Sequence, residues 1–149
     1  MKKLFLAALT GLILIGCGSK EPPPKDMPIE QKFIAVSSGH YVPAEDSSVL
    51  RARELIDRAA KSYGMPKELV ADQAYATSKI GKESGVDVSA MEVLEGATLA
   101  FVDNSGMEFS KNCAAYLALR KSGMPHAEAM IGLKGMITSV VNLGSTSRR

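Results

Sequence analysis

The sequence predicts a mainly α-helical fold, a small bundle of about five helices behind a proline-rich tether. Three observations predict it. Apolar residues recur at three- and four-residue spacing through most of residues 47–143. Gly64-Met65-Pro66 and Gly123-Met124-Pro125 punctuate that periodicity as a helix stop followed by a helix start. Ser89-Ala90-Met91-Glu92 carries the residues of a capping box.

The chain begins with Lys2-Lys3 and an uncharged, mostly apolar run from Leu4 to Ile15, then Leu14-Ile15-Gly16-Cys17 sets a small residue directly before a cysteine. Twelve helical residues span only about 18 Å, against a hydrocarbon core of about 30 Å, so this run is too short for a retained membrane helix. An ordinary secretory signal, cut after a small residue and leaving no lipid, is the other reading. The segment 1–17 resembles the signal and lipobox of bacterial lipoproteins. That resemblance implies cleavage after residue 16, a diacylglyceryl thioether and an N-acyl group on Cys17, and attachment to a membrane. More than one acyl chain makes such an anchor stable. By the same resemblance, Gly18 after the cysteine implies the outer membrane, with the domain facing the periplasm; in a single-membrane host it implies the outer face of the cytoplasmic membrane. No cofactor is expected beyond the covalent lipid.

Removal of residues 1–16 leaves 133 of the 149 residues, enough for one domain with a core. The formal charge of +2 includes both leader lysines; without them the sixteen remaining basic residues match the sixteen acidic ones. No electrostatic footprint for nucleic acid remains, and Arg148-Arg149 reads as a solvated tail closing residues 144–149. With Cys17 committed to lipid, Cys113 has no intramolecular partner in an oxidising compartment. Trp is absent and Phe and Tyr number four each, which leaves little for an aromatic platform under a sugar or nucleotide.

Residues 17–46 read as anchor, tether and a short apolar segment. Gly18 to Pro28 contains three consecutive prolines and, at about 3.1 Å per residue, spans up to about 34 Å. Phe33-Ile34-Ala35-Val36 is expected to latch onto the domain as a short strand, and His40 to sit in the following loop. The first helix of the domain starts near Ser47, with Val49, Ala52, Leu55, Ile56, Ala59 and Tyr63 on its apolar face. The second follows Pro66 and is expected to bury Leu69, Val70, Gln73, Ala74, Thr77 and Ile80, ending near Gly81 or Gly85. The third starts at the Ser89–Glu92 box, with Val88 and Val93 in the staple positions. It buries Leu94, Ala97, Thr98, Phe101 and Val102, and Asp103-Asn104-Ser105-Gly106 makes a turn. The fourth carries Phe109, Cys113, Tyr116, Leu117 and Arg120, placing Cys113 on the apolar stripe.

The last helix, from about Pro125 to Val141, has one broad face of Met130, Leu133, Met136, Ile137, Val140 and Val141. Ile131, Gly135 and Ser139 form a second, small-residue face. Such a helix is either central in the bundle or partly exposed to a partner, and this second face is the candidate partner-binding surface for a periplasmic protein.

Chemistry is sparse. Two histidines and one thiol, without paired spacing, do not compose a metal site. Cys113 and His126 invite a thiol–imidazole dyad, but on a simple hairpin turning at Gly123 their heights differ by roughly 10 Å. Glu92 and Glu95 share a helix face and are expected to face solvent. Tyr63-Gly64-Met65-Pro66, Leu69 and Glu83-Ser84-Gly85-Val86 are similar to the lytic transglycosylase pattern. That resemblance implies a glycan-cleaving enzyme with Glu83 as general acid, although the glycine-rich segment that follows in that family is replaced here by the capped helix at Ser89. A charged helix end is the alternative reading of Glu83. The expected role is therefore a membrane-anchored, non-enzymatic helical binding or scaffold module, with the glycan-cleaving enzyme as the alternative.

Overall fold

The computed structural model describes residues 26–103 and 106–146, with side chains to residue 143. The signal segment, Cys17, the triple proline, Asn104-Ser105 of the predicted turn and the terminal arginines lie outside the described residues. Six helices make up the described chain: α1 (Ile29–Ser38), α2 (Ser47–Tyr63), α3 (Lys67–Glu83), α4 (Ala90–Leu99), α5 (Phe109–Lys121) and α6 (His126–Thr146). No strand occurs among the described residues. At the centre, α3 and α4 pack on each other; α1 and α2 flank α3, while α5 and α6 flank α4.

The Phe33–Val36 segment is helical, not a strand. Gln31, Phe33 and Ile34 are buried on the side of α1 that meets α2 and α3. The Gln31 side chain donates to the Val42 carbonyl at 2.8 Å, tying the returning loop to the helix. β-Branched Ile34 and Val36 favour a strand locally, but tertiary burial of a helical face outweighs that preference.

The expected punctuation is present. Asp46 caps α2 by accepting from the Ser48 amide at 2.8 Å. Gly64 (φ 62°) takes the left-handed position after α2, and the Met65 amide reaches back to the Ala60 carbonyl. Gly123 (φ 91°) repeats this at the end of α5, with the Met124 amide on the Leu119 carbonyl. Ser89 and Glu92 form the complete capping box of α4: Ser89 Oγ accepts from the Glu92 amide, and Glu92 Oε2 accepts from the Ser89 amide at 2.8 Å.

Helix α2 buries the predicted Val49, Ala52, Leu55, Ile56 and Ala59. Helix α3 follows its prediction in part: Val70 and Ala74 are buried and Gln73 and Thr77 half-buried, but Leu69 and Ile80 are exposed, and Ala71, Ser78 and Gly81 lie inside instead. At its last turn α3 makes a close approach: a Cβ on Gly81 would stand 2.5 Å from Val88 Cγ1 and 3.0 Å from Leu117 Cδ1. On α5, Asn112 is buried beside Phe109, Cys113 and Tyr116.

Helix α6 is peripheral rather than central, packing on α4 and α5. Among its described side chains, Ala129, Leu133 and Ile137 are the fully buried ones. Met136 and Val140, assigned by periodicity to the core face, are exposed, while Ile137 between them is buried and Val141 half-buried, so the covered stripe of α6 is narrower than the periodic one.

Candidate interaction surface

Helix α6 is fastened at its first residue. His126 Nε2 lies 3.3 Å from Glu95 Oε2 on α4, and His126 Nδ1 lies 2.6 Å from the Tyr116 hydroxyl on α5. Arg120 Nη1 donates to Tyr116 Oη at 3.1 Å and to Glu92 Oε1 at 2.7 Å, while Nη2 donates to the Asp87 carbonyl. On the other flank, Arg51 of α2 donates to Glu95 Oε1 at 2.6 Å and to Glu54 at 2.8 Å. One arrangement of hydrogens satisfies every atom. Arg120 donates to the tyrosine oxygen, the tyrosine O–H donates to His126 Nδ1, and His126 Nε2–H donates to Glu95.

This chain of bonds joins α2, α4, α5 and α6, and it corrects the expectation that Glu92 and Glu95 simply face solvent. Both are partly buried. Burial pushes the Glu92 carboxyl up, but the Ser89 amide and the Arg120 guanidinium outweigh it and hold it below the usual carboxylate value. Burial likewise raises Glu95, and Arg51 with His126 brings it below that value. The Glu92 carboxylate thus serves both the cap of α4 and the clamp on α5. Sequence spacing disclosed the cap; the clamp joins residues 28 apart and has no local signal.

Beyond the clamp, α6 carries no charge from Gly135 to Thr146. Met136, Val140 and Leu143 follow one another at helical spacing and are 52, 58 and 73 % exposed. They run beside the buried line of Ala129, Leu133 and Ile137. Ile131, Gly135 and Ser139 also lie on the exposed side: Ile131 is 74 % exposed, a Cβ on Gly135 would meet open space, and Ser139 Oγ donates back to the Gly135 carbonyl. The small-residue face of the sequence reading and the Met136–Leu143 row are adjacent flanks of one exposed half-helix. The second row was missed because its spacing matches that of a core face.

Cys113 is fully buried, and burial pushes its thiol up to about 12. The Cys113–His126 dyad does not form, since both imidazole nitrogens are engaged by Glu95 and Tyr116. Glu83 is the exposed last residue of α3. A cavity of about 250 Å³ lies elsewhere, between Tyr63, Met65 and Gln73 on one side and Met107, Glu108 and Phe109 on the other. Among the described residues no cluster of three metal-ligating side chains occurs, and no helix is long and apolar enough to cross a membrane. Comparison with protein-family models, curated proteins and solved structures finds no match to this chain.

Proposed function

We propose that the chain is an envelope lipoprotein, anchored through lipid on Cys17, whose helical domain acts as a non-enzymatic binding or scaffold module for a periplasmic protein. The observation that carries this reading is the exposed, uncharged face along the second half of α6. Apolar side chains at Met136, Val140 and Leu143 form a helical row of the kind that docks into a partner's groove. The clamp at His126 holds the start of that helix in register, so the row is presented on a supported element. The tether from Gly18 to Pro28 then sets how far from the membrane the surface can reach.

Site-specific photo-crosslinking in living cells from Ile131 and, separately, from Val140 tests this reading. A discrete heterologous adduct at either position is the expected result, and mass spectrometry of the adduct names the partner. Absence of any adduct at both positions removes the surface from consideration. The anchor has a separate test: Cys17→Ala should leave the protein unprocessed or mislocalised, and normal membrane-bound mature protein would contradict the lipid assignment.

A further inference from the structure

Tyr116 is fully buried, so the proton of its hydroxyl must find an acceptor inside the protein. Among the described residues two side-chain atoms lie within hydrogen-bond distance of that oxygen. Arg120 Nη1, at 3.1 Å, can only donate; His126 Nδ1, at 2.6 Å, can accept. The hydroxyl is therefore satisfied only while Nδ1 carries no proton. That requirement puts the ring hydrogen of a neutral His126 on Nε2, 3.3 Å from Glu95 Oε2. The His126 side chain is 26 % exposed, so protons from solvent reach the ring even though they do not reach the tyrosine.

We propose that His126 is an acid-operated latch on α6: the neutral ring holds the first turns of the helix on α4 and α5, and a second ring proton releases them. The added proton goes on Nδ1. It turns the acceptor of the Tyr116 hydroxyl into a donor aimed at the same oxygen, on which the Arg120 N–H already sits. The tyrosine's own proton is then left without a buried partner. The new positive charge also stands at the first residue of α6, where the helix dipole is itself positive, and shares the tyrosine oxygen with a guanidinium. From α4 the ring faces Glu95 and, across Arg120, Glu92; from α5 it faces Tyr116 and Arg120; Glu128 lies in the first turn of α6 itself. Glu95 favours the charged ring, but its carboxylate is already engaged by Arg51 at 2.6 Å. Its attraction offsets part of the added charge and does nothing for the stranded hydroxyl proton.

The range in which imidazoles ordinarily change charge, about pH 5 to 8, lies above that in which Glu92 and Glu95 become protonated, so the latch opens while both carboxylates are still ionised. One linked proton lets the open fraction grow by up to about tenfold per pH unit. The latch stands on the clamp geometry alone. Its consequence, that acid loosens the supported end of the Met136–Leu143 row, rests on the reading of α6 as a docking helix.

The test is amide hydrogen exchange on the full chain purified in detergent, without a partner, from about pH 7.5 to 5. Rates are expressed relative to the unfolded peptides at each pH, which removes the intrinsic pH dependence of exchange. Protection in the first turns of α6 should fall by up to about tenfold per pH unit, with α1 and α2 unchanged. His126→Asn, whose Oδ1 offers Tyr116 an acceptor that does not titrate, should show no such fall, and His40→Asn should retain it. Constant protection in the wild type, or the same fall in His126→Asn, would overturn the latch, and so would an equal fall in every helix. A measurement on the wild type alone guards against a variant that fails to fold: the ¹⁵N shifts of the His126 ring should report a bare Nδ1 and a protonated Nε2 at neutral pH, and the reverse tautomer would also overturn the proposal. Failure of the latch leaves the α6 crosslinks in cells untouched, whereas a working latch in a protein without crosslinks would retain the switch and remove the docking helix.

Discussion

The ring of Tyr116 lies directly on Gly96: a Cβ built there would stand 2.4 Å from Tyr116 Cδ2 and 2.6 Å from Cε2. Glycine in the middle of α4 is unfavourable by about 1 kcal/mol relative to alanine, so the sequence carries a local cost. The return is a seat for the largest fully buried side chain of the described residues. Gly96→Ala is therefore expected to destabilise the chain by about 1–3 kcal/mol despite its better helix propensity. Thermal or urea unfolding checks this, and a stabilised variant would show that α4 and α5 separate freely.

The same tyrosine anchors the polar chain to α6. Tyr116→Phe keeps the ring on Gly96 but removes the donor to His126 Nδ1 and the acceptor for Arg120. A loss of about 1–2 kcal/mol is expected. It should be local: amide hydrogen exchange should rise through the first turns of α6, with α1 and α2 unaffected. Uniform acceleration across all helices would mean that the clamp is simply part of the global core.

Acidification should weaken this clamp. Glu92 and Glu95 both titrate below the ordinary glutamate value of 4.5 in the folded chain. A depressed folded value means stabilisation that is complete above about 4.5 and lost as pH falls through the folded values. Urea midpoints should drop as pH falls below that point. The drop should be shallower in a Glu92→Gln, Glu95→Gln double variant, and an identical profile would place the acid sensitivity elsewhere.

Cys113 should be inert. With the thiol buried and raised to about 12, almost no thiolate exists at neutral pH. Iodoacetamide is expected to leave Cys113 unmodified in the native chain and to alkylate it fully in denaturant, as read by peptide mass spectrometry. Rapid native labelling would mean that α3 and α5 open readily.

Glu83→Gln should leave cells and purified protein unchanged in a peptidoglycan-release assay if the chain works by binding. Release activity in the wild type that vanishes in this variant would establish the glycan-cleaving alternative and make Glu83 its acid.

Much of this architecture is written in short-range pattern. The face of α2, the capping box at Ser89–Glu92 and the glycine stops at Gly64 and Gly123 are matters of spacing within a few residues, where backbone geometry and local hydrogen bonding dominate; on α4 the predicted Leu94, Ala97 and Thr98 are buried, but Phe101 and Val102 lie beyond the helix end and are half-buried. Sequence alone also carries the cysteine arithmetic, and the burial of Cys113 agrees with its place on the α5 stripe. The tertiary structure decided what depends on distance between elements. Segment 29–38 is a helix because α2 and α3 accept its buried face, although Ile34 and Val36 favour a strand. Leu69 and Ile80 are outside while Ala71, Ser78 and Gly81 face the neighbouring elements, a choice of face that the weak apolar pattern of α3 does not encode. The periodicity of Met136 and Val140 is that of a core face, yet Ile137 between them is the residue that is covered, because how wide a stripe is buried depends on the placement of the neighbouring helices. Glu92, Glu95, Tyr116, Arg120 and His126 meet only when α4, α5 and α6 converge, and no spacing within one helix encodes that meeting.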